Sequence, residues 1–290
     1  MTRRRTLEQR RGSFGEIRDI MNSMKTLAYL EIRKLARFLD AQRAVVAQVE
    51  TAAADFLGYH PEVLPPPGGT APAVCLLIGS ERGFCGDFNG ALVERLKGYL
   101  AEQRLDSPLL VAVGHKLATR LADDARLAGI LDGASTVGEV ETTLHAVIRA
   151  LAELQALHGS LALHVFHHDP DDQEVTVTAV LPPFERYRHA PPRFACAPLI
   201  QLSPPAFFGA LLDHYLYSVL HEILYVSLMA ESLRRVRHLD GAVRHLDEKS
   251  SALLRACNAL RQEEIIEEIE VILLSATPQE TLPVGARIDP

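Results

Sequence analysis

The segment Gly79-Ser80-Glu81-Arg82-Gly83-Phe84-Cys85-Gly86-Asp87-Phe88-Asn89-Gly90 has the composition of a loop that could hold an anion. It follows the apolar run Val74 to Ile78 and precedes a helical pattern at Phe88, Leu92, Leu96 and Leu100. Backbone N–H groups at such a helix start point at whatever the loop encloses. A P-loop needs a Gly-Lys-Ser/Thr ending and a dinucleotide fingerprint needs GxGxxG, and neither pattern is present. The expectation is therefore a structural or partner-contacting turn. Cys85 could be a helix-terminal nucleophile of lowered pKa. No His and carboxylate pair is tied to it, so it reads as a buried small thiol.

His164, His167, His168 and Asp169 form the densest cluster of metal-ligand types. Alternation along a strand puts His164 and His168 on one face, with nothing else placed to complete a tetrahedral site, so no metal and no cofactor is expected. His214 with His221, and His238 with His245, are seven residues apart and read as solvated or seam-edge histidines on helices. The basic run Arg3-Arg4-Arg5 with Arg10 and Arg11 continues through Lys25, Arg33, Lys34, Arg37 and Arg43. This face suits a partner with acidic loops.

These residues need elements to position them, and proline marks the boundaries of those elements. Residues 1–60 and 206–277 contain no proline, whereas Pro65-Pro66-Pro67-Gly68-Gly69, Pro182-Pro183, Pro191-Pro192 and Pro204-Pro205 punctuate the middle. The first stretch places Ile17, Ile20, Met24, Leu27, Leu35, Phe38, Val45, Val49, Ala52 and Phe56 in steps dominated by three and four. The last does the same through Leu216, Val219, Ile223, Val226, Ala230, Leu233, Leu239, Val243, Leu246, Leu253, Cys257, Leu260, Ile265, Ile269 and Ile272. Each reads as one long helix with a heptad-like stripe. At 1.5 Å per residue they would reach roughly 70 and 100 Å, so they must pack on each other or on a partner. The middle reads as α/β: buried strands at 74–78 and 109–113, a helix at 140–151, and an antiparallel pair at 161–166 and 175–181.

Composition limits the function. A 48% hydrophobic chain of 290 residues has material for a core, and no apolar run approaches the length of a membrane-spanning helix. The basic start carries Glu8 and Glu16 and leads into no apolar region, so no targeting leader is expected and the chain reads as soluble and cytoplasmic. Cys75, Cys85, Cys196 and Cys257 stand far apart, which fits reduced thiols. The net charge of −7 and the absence of tryptophan argue against a nucleic-acid binder. The charge is uneven: residues 1–43 hold eleven Lys or Arg against five acids, and residues 262–290 one Arg against seven acids.

Three segments, in order, resemble the gamma subunit of F-type ATP synthases. Ile20-Met21-Asn22-Ser23-Met24-Lys25-Thr26-Leu27-Ala28 is similar to the family's I-T-K-A-M-K-M-V-A. Glu81 to Asn89 is similar to D-R-G-L-C-G-G-L-N, and Asn258 to Ile269 to N-x-x-R-Q-x-x-I-T-x-E-I. The resemblance spans about residues 1–275. It departs at Ile266, where the family has threonine; at Asp87, where it has glycine; and at Glu231 to Leu239, a worn form of E-H-x-x-R-M-x-A-M. Such departures fit a divergent branch such as the N-type ATPases.

The resemblance implies an antiparallel coiled coil of the terminal helices with an inserted Rossmann-like α/β domain. The expected division is residues 1–60, an N-terminal coiled-coil helix; 61–205, the inserted domain; 206–275, the C-terminal helix; and 276–290, a flexible tail. It implies a non-catalytic central stalk that couples ion flow to ATP synthesis or hydrolysis at the cytoplasmic face of a bacterial inner membrane. The partners would be the alpha and beta subunits of the catalytic hexamer, the epsilon subunit and the membrane c-ring, with no transmembrane segment of its own. Implied contact residues are Met24 and Lys25 against acidic levers of beta, Arg82, Gly83, Cys85 and Gly86 in the turn, and Arg261, Gln262 and Glu268 near the tip. A coiled-coil adaptor with an α/β head, or a nucleotide-binding enzyme using the Gly79–Gly90 turn, are the alternatives.

Overall fold

The structure is a computed structural model that describes residues 3–66, 71–105, 107–172, 174–189 and 191–276. Part of the proline-glycine hinge, Pro67 to Gly69, and the tail expected beyond Ala276 lie outside the described residues. Helix α1 runs Arg3–Leu57 and helix α5 Pro204–Ala276. Between them come β1 (Ala73–Ile78), α2 (Phe88–Gln103), β2 (Leu109–Val113), α3 (His115–Leu121), β3 (Leu127–Leu131), α4 (Val140–His158), β4 (Ala162–His168) and β5 (Val175–Leu181). The strands form one sheet in the order β3-β2-β1-β4-β5. The first four are parallel, and β5 returns antiparallel to β4. The expected class, long terminal helices around a central mixed sheet, is what the chain adopts.

By contacts the chain divides into Met24–Asp240 and a second unit of Met1–Ser23 with Gly241–Pro290. In the larger unit, the alternation of β1 feeds two cores. Val74, Leu76 and Ile78 pack with Leu35, Leu39, Leu144, Val219 and Ile223, the face covered by α1, α4 and α5. Cys75 and Leu77 pack with Phe88, Leu92, Leu96 and Leu117, the face covered by α2 and α3. A parallel strand buried on both faces must be apolar throughout, and β1 is buried from Val74 onward. Here α1 and α5 run antiparallel: Lys25 pairs with Asp240, Gln42 donates to Ser218 O, and Arg43 pairs with Glu222. The smaller unit has the same sense, with Arg4 to Glu264 at 3.1 Å and Arg18 to Asp247 at 3.5 Å.

The phase of the α1 stripe differs from the sequence expectation. Leu35 and Phe56 of the expected stripe are buried, but Leu27, Phe38 and Val45 are 61%, 50% and 43% exposed, and Ala28, Leu39, Val46 and Ala53 are buried beside them. The two sets lie about one residue apart on the helix, roughly 100° of rotation. The buried residues at 28 and 53 are alanines, and large apolar side chains on the neighbouring face masked them. The short elements α3 and β3 were not expected. Strand β3 is an edge whose residues alternate between half-buried and exposed, which left a weak pattern.

Replacing Leu39, buried and outside the expected stripe, with alanine should therefore destabilise the chain by about 2 to 5 kcal/mol, the usual cost of emptying a buried leucine site. Leu27→Ala should change stability by less than about 0.5 kcal/mol. Urea denaturation of both variants checks the phase; equal losses would contradict it.

Candidate functional site

The Gly79–Gly90 turn sits at the carboxyl end of β1, next to β4. This is the place where the strand order reverses and where open α/β sheets usually bind ligands. The chain fills it with its own groups. Ser80 N–H donates to Asn89 Oδ1 at 2.9 Å, and Asn89 Nδ2 donates to Ser80 Oγ at 2.8 Å. The Glu81 carboxylate accepts from His115 N at 2.9 Å and Gly133 N at 2.8 Å, so it occupies the amides that a phosphate would seek. His168 Nε2 bonds Phe88 O at 2.8 Å, and the two rings pack 4.0 Å apart. No Cβ fits at Gly79, where it would lie 2.4 Å from Leu117 Cβ.

The tip of the turn is held from α5. Phe84 (φ 64°) and Gly86 (φ 61°) are both left-handed, a conformation unfavourable for phenylalanine. This path turns Cys85 inward, where it is buried, and leaves Arg82 and Phe84 exposed. Under Cys85 lies a buried ion pair between Glu231 and Arg235, one helical turn apart. Arg235 Nε also donates to Gly83 O at 3.3 Å, and its Nη2 lies 3.3 Å from Cys85 Sγ. Glu231 Oε1 is 3.8 Å from the same sulfur.

Burial dominates the electrostatics of this cluster. It pushes Glu231 up to about 7 even though Arg235 pulls the other way. Burial, helped by Glu231, pushes the Cys85 thiol up to about 12, which disfavours the nucleophilic thiolate. The histidines on β4 are likewise held neutral by burial, His168 down to about 4. His164 bonds Tyr99 at 3.0 Å and His167 bonds Thr178 at 3.2 Å, so they serve as packing groups with polar handles. Among the described residues no cluster of three or more His, Cys, Asp or Glu could hold a metal ion.

The other residues singled out in the sequence lie on the long helices. Met24 and Lys25 are half-buried on α1, and the Lys25 ammonium is 3.1 Å from Asp240 of α5. Arg261, Gln262 and Glu268 are exposed on α5 in the smaller unit, as is Ile266. The structure brings Gly83 and Cys85 together with Glu231 and Arg235, the two positions of the worn Glu231–Leu239 segment that keep the family's Glu and Arg. Their spacing of four within an apolar helical run was the available signal, because a charged i, i+4 pair in a buried stripe needs a partner.

The family model described as ATP synthase matches residues 3–277. The ATP synthase gamma chain of Parafrankia sp. (strain EAN1pec) is 26% identical over 89% of this chain and 93% of its own length. That of Clostridium perfringens (strain SM101 / Type A) is 24% identical over 94% and 97%. Among solved structures, a chain of the Euglena gracilis mitochondrial ATP synthase OSCP/F1/c-ring assembly aligns with a TM-score of 0.61 at 14% identity, covering 97% of this chain and 99% of that one. A chain of the rotor of the same enzyme aligns at 0.59 and 15%, covering 90% and 98%. The fold is that of these long-helix, mixed-sheet chains. The protein belongs to the ATP synthase gamma-chain family. Among the described residues no helix is long and apolar enough to cross a membrane.

The raised value of Glu231 gives a pH signature. Its folded value of about 7 lies above its ordinary 4.5, so the folded chain binds the extra proton between the two. This group's contribution to stability is complete below about 4.5 and is lost as pH rises through about 7. Glu231→Gln should flatten that decline. Urea midpoints of both proteins between about pH 5 and about pH 8 check it; parallel pH profiles would contradict it.

Proposed function

We propose that the chain is the non-catalytic central-stalk subunit of a rotary F-type ATP synthase or ATPase. It turns inside a hexamer of alpha and beta subunits and stands with an epsilon subunit on a membrane c-ring, at the cytoplasmic face of a bacterial inner membrane. The observation that carries this reading is the family match across residues 3–277, in a chain whose α5 end leaves its aliphatic side chains uncovered. Ile265, Ile269, Ile272 and Leu274 are 46 to 78% exposed. A run of exposed aliphatic residues on a helix end calls for an enclosing surface. Arg261, Gln262 and Glu268 on the same segment supply polar contacts for that surface.

Coupling follows from differential contact. A shaft whose sides differ presents each of three identical catalytic sites with a different surface, so rotation and nucleotide turnover bias each other. Arg82, Gly83 and Gly86 on the turn, and Met24 and Lys25 on α1, are proposed contacts with beta, with the Lys25 charge shared with Asp240. Cys85 acts from beneath the turn. The non-catalytic reading is supported by Glu81 and Asn89, whose side chains take the backbone amides of His115, Gly133 and Ser80 around the turn. Identities of 21 to 26% to curated gamma chains support a divergent branch, for which N-type ATPases are a model.

Arg261→Ala with Gln262→Ala should lower ATP turnover of the assembled complex severalfold while leaving the isolated chain folded. Truncating one partner of a buried charged contact costs about 2 to 5 kcal/mol, and a shaft shares part of that loss among many contacts. ATP hydrolysis by the reconstituted complex, with circular dichroism of the isolated subunit, is the measurement. Unchanged turnover would remove this segment from the hexamer interface. The isolated chain should also bind magnesium ATP no better than about millimolar by calorimetry, since no phosphate lysine motif is present; micromolar stoichiometric binding would favour the enzyme alternative.

A further inference from the structure

The turn from Ser80 to Gly86 is anchored strongly at its base and weakly at its tip. At the base, Ser80 and Asn89 bond each other, and Glu81 is held by two backbone amides. At the tip, the chain passes through two left-handed residues around Cys85 and presents an exposed Phe84 and Arg82. Such a path persists where its surroundings over-determine it. Cys85 packs in the core beside Phe88 and Ala230, and one guanidinium ties the tip to α5: Arg235 reaches Gly83 O through Nε, and reaches Cys85 Sγ and Glu231 through Nη2. Glu231 in turn fixes the guanidinium plane and lies 3.8 Å from the sulfur. Arginine suits this because its planar fork serves partners on two segments at once, which the single ammonium of lysine does not.

We propose that Arg235 is a positioning residue that fastens the tip of this turn to α5, so that a partner pressing on Arg82 and Phe84 moves α5 instead of deforming the turn. The fastening stands on the geometry of this chain alone; the pressing partner rests on the central-stalk reading. Neither Glu231 nor Arg235 meets the partner, since both are buried. They act through the turn.

Cys85 reports on the fastening, because its thiol is reached only when the tip lifts away from α5. Alkylation by iodoacetamide under native conditions, resolved by peptide mass spectrometry, follows Cys85 against Cys75, which is fully buried in the sheet. Arg235→Met alone leaves Glu231 buried without its partner, so the decisive variant is Glu231→Gln with Arg235→Met. This removes both charges together, a change that buried ion pairs usually tolerate. The double variant should fold, alkylate Cys85 about tenfold or more faster than the unmodified sequence, and leave Cys75 as slow as before. Arg235→Lys should resemble it, because charge without the fork does not hold Gly83. Cys85 alkylation as slow as in the unmodified chain, in the double variant or in Arg235→Lys, would overturn the fastening.

The second arm uses the complex reconstituted with an alpha and beta hexamer. There the double variant should hydrolyse ATP while pumping severalfold fewer ions per ATP, a ratio that simple loss of folded subunit would leave unchanged. Fast alkylation with an unchanged ratio would overturn the transmission half. Failure of the unmodified chain to assemble would remove that half together with the central-stalk reading, and the thiol result would still decide the fastening.

Discussion

The middle of α5 is buried on nearly all sides, and that burial sets the terms for the larger unit. From Val219 to Leu239 the helix packs against α1 and against the sheet. Val219, Leu220, Ile223, Leu224, Val226, Leu228, Met229, Ala230, Val236 and Leu239 are all buried. A helix enclosed in this way carries its polar residues into the interior too, where each must find a partner or cost several kcal/mol. Ser227 lies 3.4 Å from Ile78 O at the end of β1. Glu231 and Arg235 take each other, and Arg235 then reaches the turn that follows β1. The buried ion pair of α5 is thus directed at the loop that holds the left-handed residues.

The same constraint decides what the switch-point crevice can do. In a ligand-binding α/β sheet the loops after the strands stay open at this place and leave backbone amides free. Here Glu81, Asn89, Phe88 and His168 close it from within, and α5 closes it from outside through Glu231, Arg235 and the Arg234 guanidinium 5.5 Å above the Phe88 ring. The crevice has become a joint between a sheet and a helix.

Much of this was legible in the residues. Continuous apolar runs at 74–78 and 109–113 predict strands buried on both faces, and the proline-free ends predict α1 and α5. The three ordered motifs predict the family. The α1 seam was not legible, because large side chains at Leu27, Phe38 and Val45 outweigh the alanines at 28 and 53 in any count of hydrophobicity. Leu27 and Val45 stay exposed, and Phe38, half exposed, stacks on Tyr225 of α5. Strand β3 was hidden by its edge position. The role of Glu231 and Arg235 was hidden because charge usually signals solvent, although they keep the Glu and Arg of the family segment and stand four apart within a buried run.

The central claim is that these long helices serve a hexamer, and it is tested most directly by native mass spectrometry of the complex purified through a tag on this chain. The account predicts one copy of the chain with three alpha and three beta subunits. Recovery of the chain alone, or as an assembly of its own copies with no catalytic subunits, would contradict it.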